Sequence, residues 1–245
     1  MITFNEERNI ERCLKSVRWA DEIIVVDSQS QDRTVDICKE YGAKIFERTF
    51  TNYSDQKNVA LDYAAHEWVF SIDADEEVPD ELAKEIERMV HPCAGINGYF
   101  VHRKSFIFGR EFKFSGTQDD WQMRLFRKKK ARFVRPVHET VEIQGNTGRL
   151  KCELLHYSYS SLADYMRKFH SYTSMEAGSR FDESFRNAYA NILARPIFRF
   201  LRLYLWKQGF RDGFQGLLFS ALSSFYDFVL FWKLIRIKHA NQSSN

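Results

Sequence analysis

The first 90 residues alternate short β-branched runs with stretches whose apolar positions recur at helical spacing, the pattern of a mostly parallel sheet covered by helices. Residues 22–27, Glu-Ile-Ile-Val-Val-Asp, read as a buried strand ending in a carboxylate. The polar turn at residues 28–32 offers N-caps for a helix over residues 34–41, which Gly42 stops. A strand over residues 43–47, a helix over 55–65 and a strand over 68–72 follow, the last running into Asp73-Ala74-Asp75-Glu76. Residues 79–90 predict a helix with proline at its start. At the beginning, residues 1–4 look like the last part of a strand, Asn5-Glu6-Glu7 its turn, and residues 10–17 the first helix. That strand is either unusually short or extended by residues upstream.

After Gly98 the alternation gives way to β-like segments at residues 99–108, 122–126, 137–143 and 151–159, and from Leu162 onward the pattern is helical throughout. No repeat or flexible linker interrupts it. The expected organisation is an α/β domain over residues 1–160 and a helical region over residues 161–245.

Composition narrows the class. With 44% hydrophobic and 16% aromatic residues, and only 11 Gly and 4 Pro, the chain is globular rather than disordered or collagenous. Cys13, Cys38, Cys93 and Cys152 lie far apart with no CxxC spacing, which fits a reducing compartment better than a zinc site or disulfide scaffold. No secretory signal pattern opens the chain, so a cytoplasmic location is expected. The formal net charge is +3, but residues 191–239 hold eight basic and two acidic residues, together with twelve aromatics. Within that region Leu218, Leu222, Phe225, Val229 and Trp232 form one helical stripe and Ser220, Ser224 and Asp227 a narrower polar one. The run is about as long as the roughly 20 residues a membrane span needs. Asp227 in its middle would be costly in lipid, so a helix at a membrane surface, or one packed on its neighbours, fits better. Arg and Lys interleaved with aromatics over residues 196–214 suit anionic headgroups. Nucleic-acid binding is the weaker use of that tail, given the acidic front turns.

Two acidic turns follow predicted strands, Asp27 after one and Asp73/Asp75 after another, where ligands of open α/β sheets bind. Two residues apart in extended backbone, Asp73 and Asp75 point the same way and can hold one hard divalent cation, Mg2+ or Mn2+. A nucleoside diphosphate would complete its shell. The bland alternative is a solvated loop, or a cap on the helix near Pro79.

In order and spacing, Ile2-Thr3-Phe4-Asn5-Glu6-Glu7, Ile24-Val25-Val26-Asp27 with Ser28, Ser30, Asp32 and Thr34, Lys57-Asn58, and Phe70-Ser71-Ile72-Asp73-Ala74-Asp75-Glu76 resemble family 2 glycosyltransferases with the GT-A fold. The later Trp121-Gln122-Met123-Arg124-Leu125-Phe126-Arg127, Pro136-Val137-His138-Glu139 and Leu155-His156-Tyr157-Ser158 resemble the lipopolysaccharide core glucosyltransferases of the WaaE/KdtX type.

This resemblance implies a UDP-sugar donor, with Thr3, Asn5 and Glu6 lining a nucleobase pocket and Asp27 at uracil or ribose. It places Asp73 and Asp75 at the ribose and the metal-bound diphosphate, Lys57 near base or sugar, and His156 as a further metal ligand beside Asp75. Arg124 or Arg127 would neutralise the leaving diphosphate. For an inverting transfer, Glu139 is the first candidate for the base that deprotonates the acceptor and Asp120 its competitor. The implied acceptor is a lipopolysaccharide core, reached by an enzyme peripheral to the cytoplasmic face of the inner membrane. Alternatives are transfer to polyprenyl phosphate or another envelope glycan, and a non-catalytic nucleotide-binding relative.

Overall fold

The computed structural model describes residues 1–90, 95–135, 139–159, 161–179 and 188–242. Contacts divide the chain into two compact units, one of residues 1–104 and 120–157, the other of residues 105–119 and 158–245.

The first unit opens with β1 (Ile2–Thr3), α1 (Ile10–Ser16), β2 (Ile24–Asp27), α2 (Thr34–Glu40), β3 (Lys44–Glu47) and α3 (Tyr53–Tyr63). The three strands form a parallel sheet in sequence order, pairing Thr3 with Asp27 and Asp27 with Glu47. Gly42, at φ 73°, ends α2: its N–H donates to the Lys39 carbonyl and that of Ala43 to Cys38, the paired closure an αL glycine permits. Asn52 caps α3 by accepting from the Asp55 N–H at 2.9 Å.

Beyond α3 come β4 (Trp68–Phe70), β5 (Glu76–Glu77), α4 (Asp80–Met89), β6 (Ile96–Ile107), β7 (Arg110–Glu111), β8 (Trp121–Arg127), β9 (Ala131–Val134), β10 (Thr140–Ile143) and β11 (Asn146–Tyr159). Pro79 sits one position before α4, as its N-cap. The second sheet runs β4-β8-β6-β11-β5 with β7 on β6, and the β4–β8, β6–β8 and β11–β5 pairs are antiparallel. The class is the expected α/β, its parallel part carried by β1–β3. Residues 137 and 138, expected to begin a strand, lie outside the described residues.

Cys13 of α1, Val17 just past its end, and Leu82 and Ile86 of α4 pack with Tyr99, Val101, Leu125, Leu150 and Leu154 of the antiparallel sheet. Ile10 and Leu14, on the other apolar edge of α1, meet Val25, Ile37 and Cys38. One polar side chain is built into the first seam: buried Glu85 accepts from the N–H groups of Lys151 and Cys152, each at 2.9 Å.

In the second unit α5 (Leu162–Ser179), α6 (Ala188–Leu201) and α7 (Gly213–Gln242) are joined to residues 105–119 through a tight turn. Asp212 accepts from Lys113 N at 3.1 Å, Phe114 N at 3.2 Å and Ser115 Oγ at 2.8 Å. A Cβ on Gly216 would stand 1.9 Å from the Gly209 carbonyl oxygen, so α7 requires glycine there. The stretch Gly209–Ile237 is long and apolar enough to cross a membrane, by length and composition only. Its Asp227 pairs with Arg199 Nη1 at 2.9 Å.

Burial opposes charge on Glu85, but the N–H donors of Lys151 and Cys152 outweigh it and hold the carboxyl below the usual glutamate range. Its stabilisation is therefore complete above the unfolded-state pKa and disappears as pH falls through the lower native value. Glu85→Ala should cost about 1.5–3 kcal/mol at neutral pH in denaturant titration. The gap to wild type should narrow in acid.

Candidate active site

The loops after β1 and β2 are laced together at the carboxyl end of the parallel sheet. Asn5 N donates to Ser30 Oγ at 2.9 Å, Gln31 N to Asn5 Oδ1 at 2.7 Å, and Glu6 N to Thr34 Oγ1 at 2.8 Å. Asn5 takes a positive φ of 54°, which bends the chain into α1, and the Glu6 carbonyl accepts the N–H groups of Asn9 and Ile10. Beneath them Asp27 is fully buried. Its Oδ1 accepts from Thr3 Oγ1 at 2.7 Å and Ser30 Oγ at 2.6 Å, and its Oδ2 from Ser30 N at 2.7 Å. Both oxygens thus work inside the chain, so Asp27 ties the Ser30 turn to β1 beneath Asn5 and Glu6.

Alongside runs a chain of alternating charges. Lys57 of α3 is nearly buried, and its Nζ lies 2.7 Å from Asp73 Oδ1 and 2.7 Å from Glu139 Oε1. Asp73 Oδ2 accepts from Arg124 Nη2 of β8 at 2.7 Å. The same Nη2 also donates to Glu76 Oε1, which Arg103 Nη1 of β6 approaches at 3.3 Å. Arg103 Nη2 in turn reaches Asp120 Oδ2 at 2.8 Å. Glu76 is fully buried, and its Oε2 accepts the Asp73 N–H at 2.9 Å, which sets the turn that carries the two aspartates.

The network fixes protonation. Burial alone pulls the Lys57 ammonium down and Arg124 adds to that, but Asp73 and Glu139 outweigh both and hold it above the ordinary lysine range. Burial likewise opposes charge on Asp73, yet Arg124 and Lys57 keep its carboxyl well below the usual range. For Arg124, burial is overcome by Asp73 and Glu76. All three are charged at neutral pH.

Asp73 and Asp75 differ in their contacts. Asp73 engages both oxygens with Lys57 and Arg124, whereas Asp75 Oδ1 lies 3.8 Å from His156 Nε2. Burial pushes the His156 imidazole below its ordinary value, more than Asp75 raises it, so it is the neutral form a metal ion binds. No group of three or more His, Cys, Asp or Glu side chains gathers at a metal-binding spacing among the described residues. The Asp75 carboxylate nevertheless fits Mg2+ or Mn2+, which take few protein ligands and fill the remainder from phosphate and water, and the neutral imidazole beside it can add a nitrogen ligand. Asp75 and His156 are the residues that would hold the ion.

The two base candidates also differ. Asp120 engages both oxygens, Oδ2 with Arg103 and Oδ1 with Gln122 Nε2 at 2.7 Å. Lys57 holds Glu139 by Oε1. His138, its neighbour in the expected motif, lies outside the described residues. Arg127 stands apart from the site, over the Trp68 ring at 4.7 Å and paired with Glu67. Asn58 docks α3 on β9 by exchanging hydrogen bonds of 2.9 Å with the Phe133 backbone. Glu76 and Arg103 are the members sequence reasoning missed. Glu76 directly follows the aspartate pair, but nothing in the spacing of Arg103 signals its place.

Removing one partner from a buried ion network leaves the others uncompensated. Arg124→Met should therefore destabilise the protein by about 3–5 kcal/mol in urea or guanidinium titration. A surface-like loss below about 1 kcal/mol would mean that the network is not closed in solution.

The family model described as glycosyl transferase family 2 matches residues 1–151. The lipopolysaccharide core biosynthesis glycosyltransferase LpsC of Rhizobium meliloti is 26% identical over 98% of this chain and 92% of its own length. An uncharacterized glycosyltransferase of Rickettsia typhi is 29% identical over 96% of this chain and 85% of its own. Among solved structures, S. aureus TarS 1–349 in complex with UDP-GlcNAc aligns with a TM-score of 0.49 at 15% identity, over 94% of this chain and 79% of that one. With the family's model running from β1 into β11, across the laced loops and the aspartate turn, this chain belongs to glycosyl transferase family 2 and has its GT-A fold.

Proposed function

We propose that the protein transfers a hexose, glucose first among candidates, from a UDP-sugar to a lipopolysaccharide inner-core acceptor, with inversion at the anomeric carbon. The observation that carries this reading is the shared lysine: Lys57 holds Asp73 of the donor motif and Glu139 at the same 2.7 Å. A carboxylate positioned from the donor side suits the task of deprotonating an acceptor hydroxyl. In the transfer that hydroxyl oxygen bonds to the anomeric carbon, its proton passes to Glu139, and the bond from that carbon to the diphosphate oxygen breaks.

Mg2+ or Mn2+, held by Asp75 and His156, would supply positive charge to the departing diphosphate. Arg124 adds a fixed positive charge beside the same turn, although its contacts are to Asp73 and Glu76. The nucleobase falls to the loops around Asn5 and Glu6, supported from below by Thr3 and Asp27. The acceptor class rests on the printed function of LpsC, which this chain matches at near full length. Such an acceptor is anchored in lipid, which puts the enzyme at the cytoplasmic face of the inner membrane.

UDP release from a panel of UDP-hexoses, with deacylated or lipid-linked core acceptors and Mg2+ or Mn2+, tests the reading. One hexose should give acceptor-dependent turnover. Glu139→Gln should lower kcat by about 10²–10⁴ with UDP binding intact, and Asp75→Ala should lose metal-dependent UDP binding. Full activity in Glu139→Gln would remove that residue from the base role. Label entering polyprenyl phosphate would change the acceptor, and UDP binding without turnover on any acceptor would leave a binding protein.

A further inference from the structure

In the helical unit the apolar core of Leu230, Phe231 and Leu234 lies toward the end of α7, while the earlier part of α7 buries polar groups and leaves large apolar ones exposed. On α7, Ser220, Ser223 and Asp227 are buried, while Phe214, Leu217, Phe225 and Trp232 are exposed. Two of the buried polar groups are satisfied within the unit: Ser220 Oγ donates to the Gly216 carbonyl at 2.7 Å, and Asp227 pairs with Arg199. Along α6 and the wider turn that follows it, Leu193, Ile197, Leu201 and Leu205 recur every fourth residue on the outside, and Trp206 is 78% exposed. The α6 row together with Phe214 and Leu217 of α7 leaves more large apolar side chains exposed than the scattered leucines of an ordinary surface.

The charges beside this face have one sign. Arg195, Arg202 and Arg211 are exposed, whereas the acids of the stretch are turned inward, Asp212 onto residues 113–115 and Asp227 onto Arg199. An apolar face edged by cations, with its acids neutralised internally, complements an anionic lipid surface. Arg195 and Arg202 interleave with the apolar stripe, so a full crossing would carry them into hydrocarbon. At the headgroup level their guanidinium groups reach phosphate while the leucines enter the acyl region.

We propose that the outer face of α6 and the first turns of α7 seat the protein in one leaflet of an anionic bilayer, without spanning it. The seat builds on the reading of a lipid-anchored acceptor, to which it gives a physical surface, but it is tested without sugar transfer. Co-sedimentation of the full chain with phosphatidylglycerol/phosphatidylethanolamine vesicles should show binding at low salt. Binding to pure phosphatidylcholine should be weak, and high salt or alkaline carbonate should release the protein. Trp206→Ser with Phe214→Ser should weaken partitioning by about tenfold or more. The pair should leave turnover on a deacylated, soluble acceptor unchanged. In the wild type, lipids brominated along the acyl chain should quench tryptophan fluorescence, and Trp206→Phe should retain binding while reducing that quenching.

Equal binding by the serine pair, absence of vesicle binding, or retention after carbonate would each overturn the proposal. So would a stable dimer in solution that protects Trp206 from an aqueous quencher, since a second copy would then cover the face. Failure of turnover on every acceptor, with vesicle binding intact, would count against the transfer reading and leave the seat standing.

Discussion

Lys57 carries a positive charge with almost no access to water, held between a carboxylate of the aspartate turn and one that follows the β9 strand. A lone ammonium in that position would lose its proton or unfold the site; two anions at hydrogen-bond distance make it the point where α3, the turn after β4 and Glu139 are fixed together. Through Asp73 the constraint passes to Arg124, Glu76 and Arg103, so β8, β6 and the aspartate turn share one set of charges. Breaking any member leaves a neighbour buried and unbalanced. The geometry of the aspartate turn and the integrity of the domain therefore depend on the same contacts.

The same economy appears in the nucleotide-side loops. Asp27 stands where the family resemblance puts a ligand contact, yet its oxygens hold Thr3 and Ser30. A buried carboxylate with three donors is a rigid turn organiser, and it sets the approach of Asn5 and Glu6. Asp75 and His156 stand 3.8 Å apart beside the Lys57 chain of charges, whose Arg103, Glu76 and Asp73 also act on the imidazole.

Much of this was legible in the sequence where information is local. The β-branched runs at Ile24 and Trp68, the glycine stop at Gly42 and the carboxylates after the strands all announce themselves within a few residues. Long-range register does not. Arg103 reaches Glu76 and Asp120 because β6 lies beside β8, and nothing in its own neighbourhood distinguishes it from the exposed cations nearby. Two residues apart, Asp73 and Asp75 read as a single ligand pair, and only the folded positions of Lys57, Arg124 and His156 divide them. The grouping of residues 105–119 with the C-terminal helices was equally invisible, since it rests on Asp212 bonding to backbone about a hundred positions earlier. The apolar and polar stripes of α7 were visible, but that its polar stripe faces inward at Asp227 emerges only when α6 supplies Arg199.

A double-mutant cycle on turnover tests the central coupling most directly, using Lys57→Met, Glu139→Gln and the pair, with UDP affinity measured in each. If Lys57 acts on the acceptor step by holding Glu139, the pair should be hardly slower than Glu139→Gln alone, because the second change removes a support for a group already lost. Multiplying losses, with Lys57→Met acting only on UDP affinity, would contradict the account and confine Lys57 to the donor side.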